Sequence, residues 1–327
     1  MTDRFLSSLY QPRTGQGIRG HRRWYFCESV VKAHFPQELI RTCGNCGHFF
    51  TRCCPGEEQL REKGYDPESS ERLCHNYCVV YTDGACLNNG RRDSPQFCGL
   101  GIAMGTGDDD QLSVPVNEEV DSGATRTNQR AELLAAIAGL NVWMHAFVNG
   151  GFPDKNTHTK DRRAVIIATD SEYVVKGITE WYPTWKARDW RAADGKTPKN
   201  LDLFHKLNDA AVYLESNVGV DVGFLHLLRE VRSPIAIHPP SANVQQYNVI
   251  ADGLAKEGAE GARAASMSRK LTKNSEPHYK FAQPKNRLAN DPNDHKVMYK
   301  SRSSAESDDF EPRHFDLCLV QKDGSPR

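Results

Sequence analysis

The chain has 327 residues, 42 basic and 42 acidic side chains for a formal charge of zero, and 38% hydrophobic residues. That is more length than one ordinary domain needs and less apolar content than a fully packed chain carries, so one compact unit with polar flanking segments is expected. Zero net charge excludes a general polybasic coat, and the lack of 18 consecutive apolar residues argues for a soluble chain with no membrane span, whose nucleic-acid site, if present, is local.

The first 25 residues carry Arg4, Arg13, Arg19, Arg22 and Arg23 against Asp3 and no apolar stretch, so a secretory signal is not expected. Residues 1–26 are expected to be a flexible basic arm. A mitochondrial transit peptide shares this composition, but an intracellular address in nucleus or cytoplasm is the expectation. Seven of the ten cysteines then fall between Cys27 and Cys78, marking residues 27–78 as a distinct segment. Within it Cys43-Gly44-Asn45-Cys46 is a C-x2-C pair, and Cys74 with Cys78 could close a tetrahedral thiolate zinc site, with Cys53, Cys54, His48 and His75 also available. Zinc would let a short polar segment fold without a core of its own. Reduced, buried cysteines are the alternative reading.

From residue 79 to about 265 the pattern is that of one α/β unit. Cys78–Thr82 is β-branched and aromatic and is expected to stop at the turn signal Asp83-Gly84. Short strands are predicted over 99–105 and 111–116, an amphipathic helix over 128–147 with Glu132 in its first turn, and a strand buried on both faces over 164–169 that exits at Asp170. A helix is expected to run from Ser171 through Trp181. Helix 201–214, strand 220–228 and helix 249–265 follow, the last carrying Asp252. Residues 266–327 lack apolar periodicity and read as a disordered tail.

Asp83, Glu132, Asp170 and Asp252 therefore stand near element ends of one unit, where sites of α/β sheets assemble. Any one of them alone is a turn or surface acid. A cluster of carboxylates without thiols or imidazoles favours Mg²⁺, with Mn²⁺ as a substitute, over Zn²⁺. Without a cation such acids repel one another.

The local words around these acids are Tyr81-Thr82-Asp83-Gly84-Ala85-Cys86, Thr127-Asn128-Gln129-Arg130-Ala131-Glu132-Leu133, Ala168-Thr169-Asp170-Ser171-Glu172-Tyr173-Val174 and Asn248-Val249-Ile250-Ala251-Asp252-Gly253-Leu254-Ala255. In this order they resemble the type 1 ribonuclease H family, in a eukaryotic, fungal-like form, over about residues 79–265. The resemblance implies a ribonuclease H-like fold, a five-stranded mixed sheet with helices on both faces. It implies an endonuclease that hydrolyses the RNA strand of RNA–DNA hybrids and works as a monomeric catalytic domain. It makes Asp83, Glu132, Asp170 and Asp252 the catalytic metal ligands for two Mg²⁺ ions roughly 4 Å apart. By the same resemblance Cys86 (through its backbone), Asn88, Asn89, Asn128 and Gln129 read RNA 2′-hydroxyls, the group that separates RNA from DNA. Locally, Asn88-Asn89-Gly90 reads equally as an ordinary turn, and Asn128 as a helix N-cap.

Between Lys176 and Lys199 six basic residues against three acids alternate with Trp181, Trp185 and Trp190. Cations on phosphates and indoles on sugars or bases suit a strand-holding groove. The stretch resembles the family's basic protrusion, which assigns Thr127, Trp181, Trp185, Lys186 and Arg188 to the DNA strand and leaves Trp190 to packing. Gly195-Lys196-Thr197 lacks the first glycine of a phosphate loop, which excludes ATP binding of that kind.

The family's Gly-His loop before the last acid is missing. His238 is the nearest loop histidine, while His226 falls in a strand. Removing residues 231–245 would join Leu227-Leu228-Arg229-Glu230 directly to Gln246-Tyr247-Asn248 and give a compact Arg-Glu-x-x-Asn-x-x-Ala-Asp word, so these fifteen residues are expected to translate a retained intron. Sequencing cDNA across the junction decides this, since uniform transcripts with all fifteen codons rule it out. The missing histidine also motivates a competing reading, a catalytically impaired hybrid-binding or regulatory protein. A retroelement polyprotein fragment is disfavoured by the initial Met and the lack of a polymerase segment.

Overall fold

The computed structural model describes residues 17–19, 22–35, 38–69, 73–91, 93–150, 163–227 and 247–274. His238 and residues 231–245 lie outside the described residues.

Among the described residues nine strands form one mixed sheet. The five that the sequence pattern predicts are β5 (Tyr77–Leu87), β6 (Phe97–Ala103), β7 (Gln111–Pro115), β8 (Ala164–Thr169) and β9 (Asp221–His226). β5, β6 and β7 pair antiparallel, while β8 runs parallel to β5 on one side and to β9 on the other. Four further strands come from the N-terminal segment. β1 (Gly17–Arg19) and β2 (Arg23–Tyr25) extend the sheet beyond β9, and β3 (Ile40–Thr42) and β4 (Phe49–Thr51) extend it beyond β5. The expected break at residue 78 is therefore absent from the sheet, because Phe49 pairs with Val79 and Phe50 with Cys78. Nor are Gly17–Arg19 and Arg23–Tyr25, which are strands of the sheet, a free arm in this fold. Both N-terminal segments also have apolar material: Trp24 and Phe26 of the first, and Val30, Val31, Leu39, Ile40 and Phe49 of the Cys-rich one, are buried together with Tyr77, Val79 and Tyr81. Alternation supplies the reason, since one face of β5 needs a cover and these residues provide it.

Helix α1 (Glu28–Ala33) and helix α2 (Cys54–Glu62) belong to that N-terminal layer. α3 (Asn128–Val148) crosses the other face of the sheet, against β5 and β6. It was expected to be amphipathic, but from Ala131 to Leu140 every residue except Glu132 is buried. The cause is a second cover, α6 (Leu201–Tyr213), which packs on its outer side. By length and composition α3 would also pass as a membrane-spanning helix. Its burial between sheet and helix accounts for the apolar content without a membrane.

The predicted helix after Asp170 is broken by a π-helical turn. α4 (Glu172–Lys176) passes through Gly177–Trp181 into α5 (Tyr182–Lys186). α7 (Asn248–Asn274) lies across β6, β5 and β7 and continues nine residues past the predicted end at Ala265, so residues 266–274 are helix rather than tail.

Candidate active site

Asp83 does not sit at a strand end. β5 continues through it to Leu87, with Asp83 opposite Gly101 of β6. What ends near Asp83 is the partner on the other edge: the β5–β8 register stops at Tyr81 opposite Ala168, and β8 ends at Thr169. Carrying that register two residues further puts Asp170 beside Asp83. Gly84, which reads as a turn residue in the sequence, has another purpose. A Cβ there would lie 2.2 Å from both the Ala131 carbonyl carbon and the Glu132 nitrogen, so its absence lets α3 touch the strand and brings Glu132 alongside. On the opposite face a Cβ at Gly101 would lie 1.9 Å from the Ala251 oxygen. Asp252 is thereby delivered next to the Asp83–Gly101 pair. Two glycines and one strand end thus bring four acids from distant parts of the chain to one place.

The electrostatics agree with this convergence. Burial, then the charges of Asp170 and Asp252 and, more weakly, Glu132, push the Asp83 carboxyl up to about 7. Asp83 is 9% exposed. The Glu132 carboxylate is held from two sides: Asn128 Nδ2 donates to Oε1 at 2.6 Å, and the Ser171 hydroxyl donates to Oε2. Asp252 is the open member, with 42% of its side chain exposed, and pairs with Lys256 one turn on at 2.5 Å. Hard oxygen donors that raise one another's proton affinity fit a divalent cation of the Mg²⁺ or Mn²⁺ type.

Ser171 and Lys256 escaped the sequence reading. Ser171 caps α4 by accepting from the Val174 nitrogen at 3.3 Å, and Ser-Glu-x-x before a helix could have signalled the cap but not the bond to Glu132. His226 is also nearer the acids than its place in a strand suggested, pairing across from Thr169 and contacting the Asp170 backbone. Burial and the neighbouring Arg23 hold its imidazole below the usual range.

Around the acids the predicted contacts divide. The α3 N-cap is Thr127, whose hydroxyl accepts from the Arg130 nitrogen at 3.2 Å; Asn128, predicted as the cap, is the first helical residue. Asn128 is already engaged with Glu132, and its backbone nitrogen donates to Asn89 Oδ1 at 3.3 Å. Asn88 adopts a positive φ of 59° and donates to the Pro95 oxygen, in keeping with its turn reading. Cys86 pairs with Cys98 across β5 and β6, and Gln129 is exposed. Arg130 bridges Asp121 and Asp202, fastening the start of α3 to α6 and so steadying the turn that carries Glu132. Trp181 and Trp185 are half-buried with ring centroids 6.1 Å apart; Trp181 meets Tyr173 and Trp185 meets Phe204. Lys186 and Arg188 are exposed beyond them. Trp190 packs on His205 at 4.4 Å and on Tyr182 at 5.2 Å.

The family model described as RNase H matches residues 75–218, a span that holds Asp83, Glu132 and Asp170 but not Asp252. Ribonuclease H of Cyanothece sp. is 40% identical over 129 residues, which are 39% of this chain and 67% of that protein. Ribonuclease H of Paracidovorax citrulli is 36% identical over 135 residues, 41% of this chain and 72% of the relative. The chain belongs to the ribonuclease H family. It spans about half the length of the human relative, Ribonuclease H1, at 29% identity over 185 residues, 57% of this chain and 51% of that protein. Among solved structures, the solution structure of the PFV RNase H domain is 22% identical with a TM-score of 0.37, over 56% of this chain and 94% of that one. The ribonuclease H match begins at His75, inside the segment that the cysteines had set apart.

Proposed function

We propose that this chain hydrolyses the RNA strand of RNA–DNA hybrids, with Asp83, Glu132, Asp170 and Asp252 holding Mg²⁺ at the scissile phosphodiester. What carries this reading is the convergence of the four acids, supported by the β5–β8 register and by the close helix approaches at Gly84 and Gly101, with the Asp83 carboxyl pushed up to about 7 by burial and by its acidic neighbours. Ions bound there would supply an activated water and offset the charge on the leaving oxygen.

The chain's own groups do the positioning. Asn128 and Ser171 fix the Glu132 carboxylate in one orientation, in which it would help hold the metal and lie near the ribose. The turn around Asn88 and Asn89, tied to the start of α3 through Asn128, offers polar groups to the 2′-hydroxyls of the RNA strand. Trp181 and Trp185, backed by Tyr173 and Phe204, give the DNA strand a firm apolar surface, with Lys186 and Arg188 above them for its phosphates.

The direct test is cleavage of an end-labelled hybrid with Mg²⁺, beside duplex RNA and duplex DNA of the same sequence. Cutting of the hybrid RNA alone, abolished by EDTA, is expected. Tight hybrid binding with no cutting at any Mg²⁺ or Mn²⁺ concentration would favour the impaired-site reading instead. For the groove, Lys186→Ala with Arg188→Ala is expected to weaken hybrid binding several-fold and to lower the slope of log K against log salt by about 1 to 2. An unchanged slope would remove these residues from the phosphate contact.

A further inference from the structure

Two cysteines of the C-x2-C pair and one histidine meet at the junction of the N-terminal hairpin with β5. The ligand atoms of Cys43, Cys46 and His75 all lie within 4.8 Å of one another, and His75 Nε2 is 3.3 Å from Cys43 Sγ. Ligands of a tetrahedral zinc ion are spaced about 3.5 to 3.8 Å apart, as Zn–S and Zn–N lengths of about 2.3 and 2.0 Å require. The trio is therefore already close to that spacing.

The local backbone is shaped for thiolates. Cys43 N donates to the His48 oxygen at 2.9 Å, Gly47 N donates to the Cys43 oxygen at 2.8 Å, and Gly47 takes φ +75°, which closes a tight knuckle over 43–48. Inside it the N–H groups of Asn45 and Cys46 point at the Cys43 sulfur, and that of His48 at the Cys46 sulfur. The His75 ring is fixed by stacking on Phe50, with centroids 4.1 Å apart and planes 11° from parallel. Such support is what orients an imidazole ligand.

Cys78 is the fourth candidate. It follows His75 by three residues, is 3% exposed, belongs to the same buried cluster as Cys43, and lies within electrostatic reach of Cys46. Cys74, which the sequence spacing nominated, packs instead with the other cluster, against Cys53: a Cβ at Gly56 would lie 2.5 Å from Cys74 Cβ and 2.7 Å from Cys53 Sγ. The arrangement becomes C-x2-C followed by H-x2-C rather than the all-cysteine set.

We propose that Cys43, Cys46 and His75, completed by Cys78, bind one structural Zn²⁺ that pins the β3–β4 hairpin to the head of β5. Two thiolates and an imidazole select a borderline-soft ion over Mg²⁺, so this site and the carboxylate site take different metals. The hairpin has need of it, since β4 meets β5 through only two residue pairs, Phe49 with Val79 and Phe50 with Cys78.

The test is element analysis of the purified full chain together with Co²⁺ substitution, neither of which depends on nuclease activity. About one zinc per chain is expected, and Co²⁺ should give a thiolate-to-cobalt charge-transfer band with strong tetrahedral d–d absorption, which carboxylates cannot produce. Cys46→Ser should lose at least about nine-tenths of the zinc, while Cys74→Ser should keep it. Should Cys46→Ser fail to fold, alkylation mapping of the wild type replaces it: zinc should protect Cys43, Cys46 and Cys78 and its removal should expose them. No zinc with no charge-transfer band overturns the proposal, as does zinc loss in Cys74→Ser. Full retention in a folded Cys78→Ser would overturn the fourth ligand.

Discussion

Asp83→Asn is expected to lower Mg²⁺-dependent hybrid cleavage by about 10³-fold or more and, at the same time, to stabilise the metal-free chain at pH 8. Both effects have one cause. The Asp83 carboxyl is buried among three other acids and is pushed up to about 7, whereas in the unfolded chain it ionises near the ordinary aspartate value of about 3.9. Between those two values the folded chain binds a proton that the unfolded chain has released. The stability this confers is complete below about pH 4, falls as pH rises through 7, and is gone above it. A gap of about three pKa units corresponds to roughly 4 kcal/mol as an upper figure, and relaxation of the site brings the expected loss to about 2 to 4 kcal/mol. Asn cannot ionise, so the variant should show little of that decline. Mg²⁺ should reverse the order by stabilising the wild type through binding to the folded state. Thermal unfolding from pH 5 to 8.5, in EDTA and in Mg²⁺, checks all of this. Equal pH slopes for the two proteins in EDTA, or cleavage by the variant within tenfold of wild type, would remove Asp83 from the centre of the site.

Why the acids were legible while their framework was not follows from the range of the interactions. Each acid lies in a short word whose neighbours are fixed by local needs: Thr127 caps the helix that carries Glu132, and Ser171 caps the one after Asp170. Such signals act over three or four residues and survive in the sequence. Gly84 failed for the opposite reason. Asp-Gly has the composition of a turn, yet the glycine answers to a helix almost fifty residues away, and no local pattern reports a close approach of that kind. The N-terminal strands were hidden similarly. Three-residue strands such as Phe49–Thr51 are too short for alternation to register, and their pairing with β5 depends on long-range packing of Trp24, Phe49 and Tyr81. Cysteine spacing carries no sign of where β5 begins: Cys78 lies inside the strand, in the buried cluster that holds Cys43, while Cys74 precedes the strand and packs beside Cys53.

Gly101→Ala is the second substitution with a large expected effect, and it separates the placement of the acids from their chemistry. Gly101 faces α7 directly opposite Asp83, and the added methyl would sit 1.9 Å from the Ala251 oxygen and 2.6 Å from the Ala255 nitrogen. Those atoms are helix backbone, so no rotamer change relieves the clash. Gly99 repeats the contact one turn along, where a Cβ would lie 2.1 Å from the Ala259 nitrogen, so α7 cannot pivot about that end either. The helix must retreat by roughly 1.5 Å to reach an ordinary carbon–oxygen separation. Overpacking of this severity should cost about 3 kcal/mol. Asp252 follows Ala251 and moves with the helix, and a displacement of that size should lower kcat by about 10²-fold even where the fold survives. Gly253→Ala is the matched control. Gly253 lies in the same helix, is exposed, and has nothing within 4 Å of an added Cβ, so alanine there should raise stability by about 0.5 to 1 kcal/mol. Urea unfolding of the two variants beside wild type, with single-turnover cleavage of the hybrid, gives both quantities. A Gly101→Ala protein with wild-type midpoint and wild-type kcat would mean that α7 does not rest on β6 as described, and Asp252 would then lose the contact that brings it to Asp83.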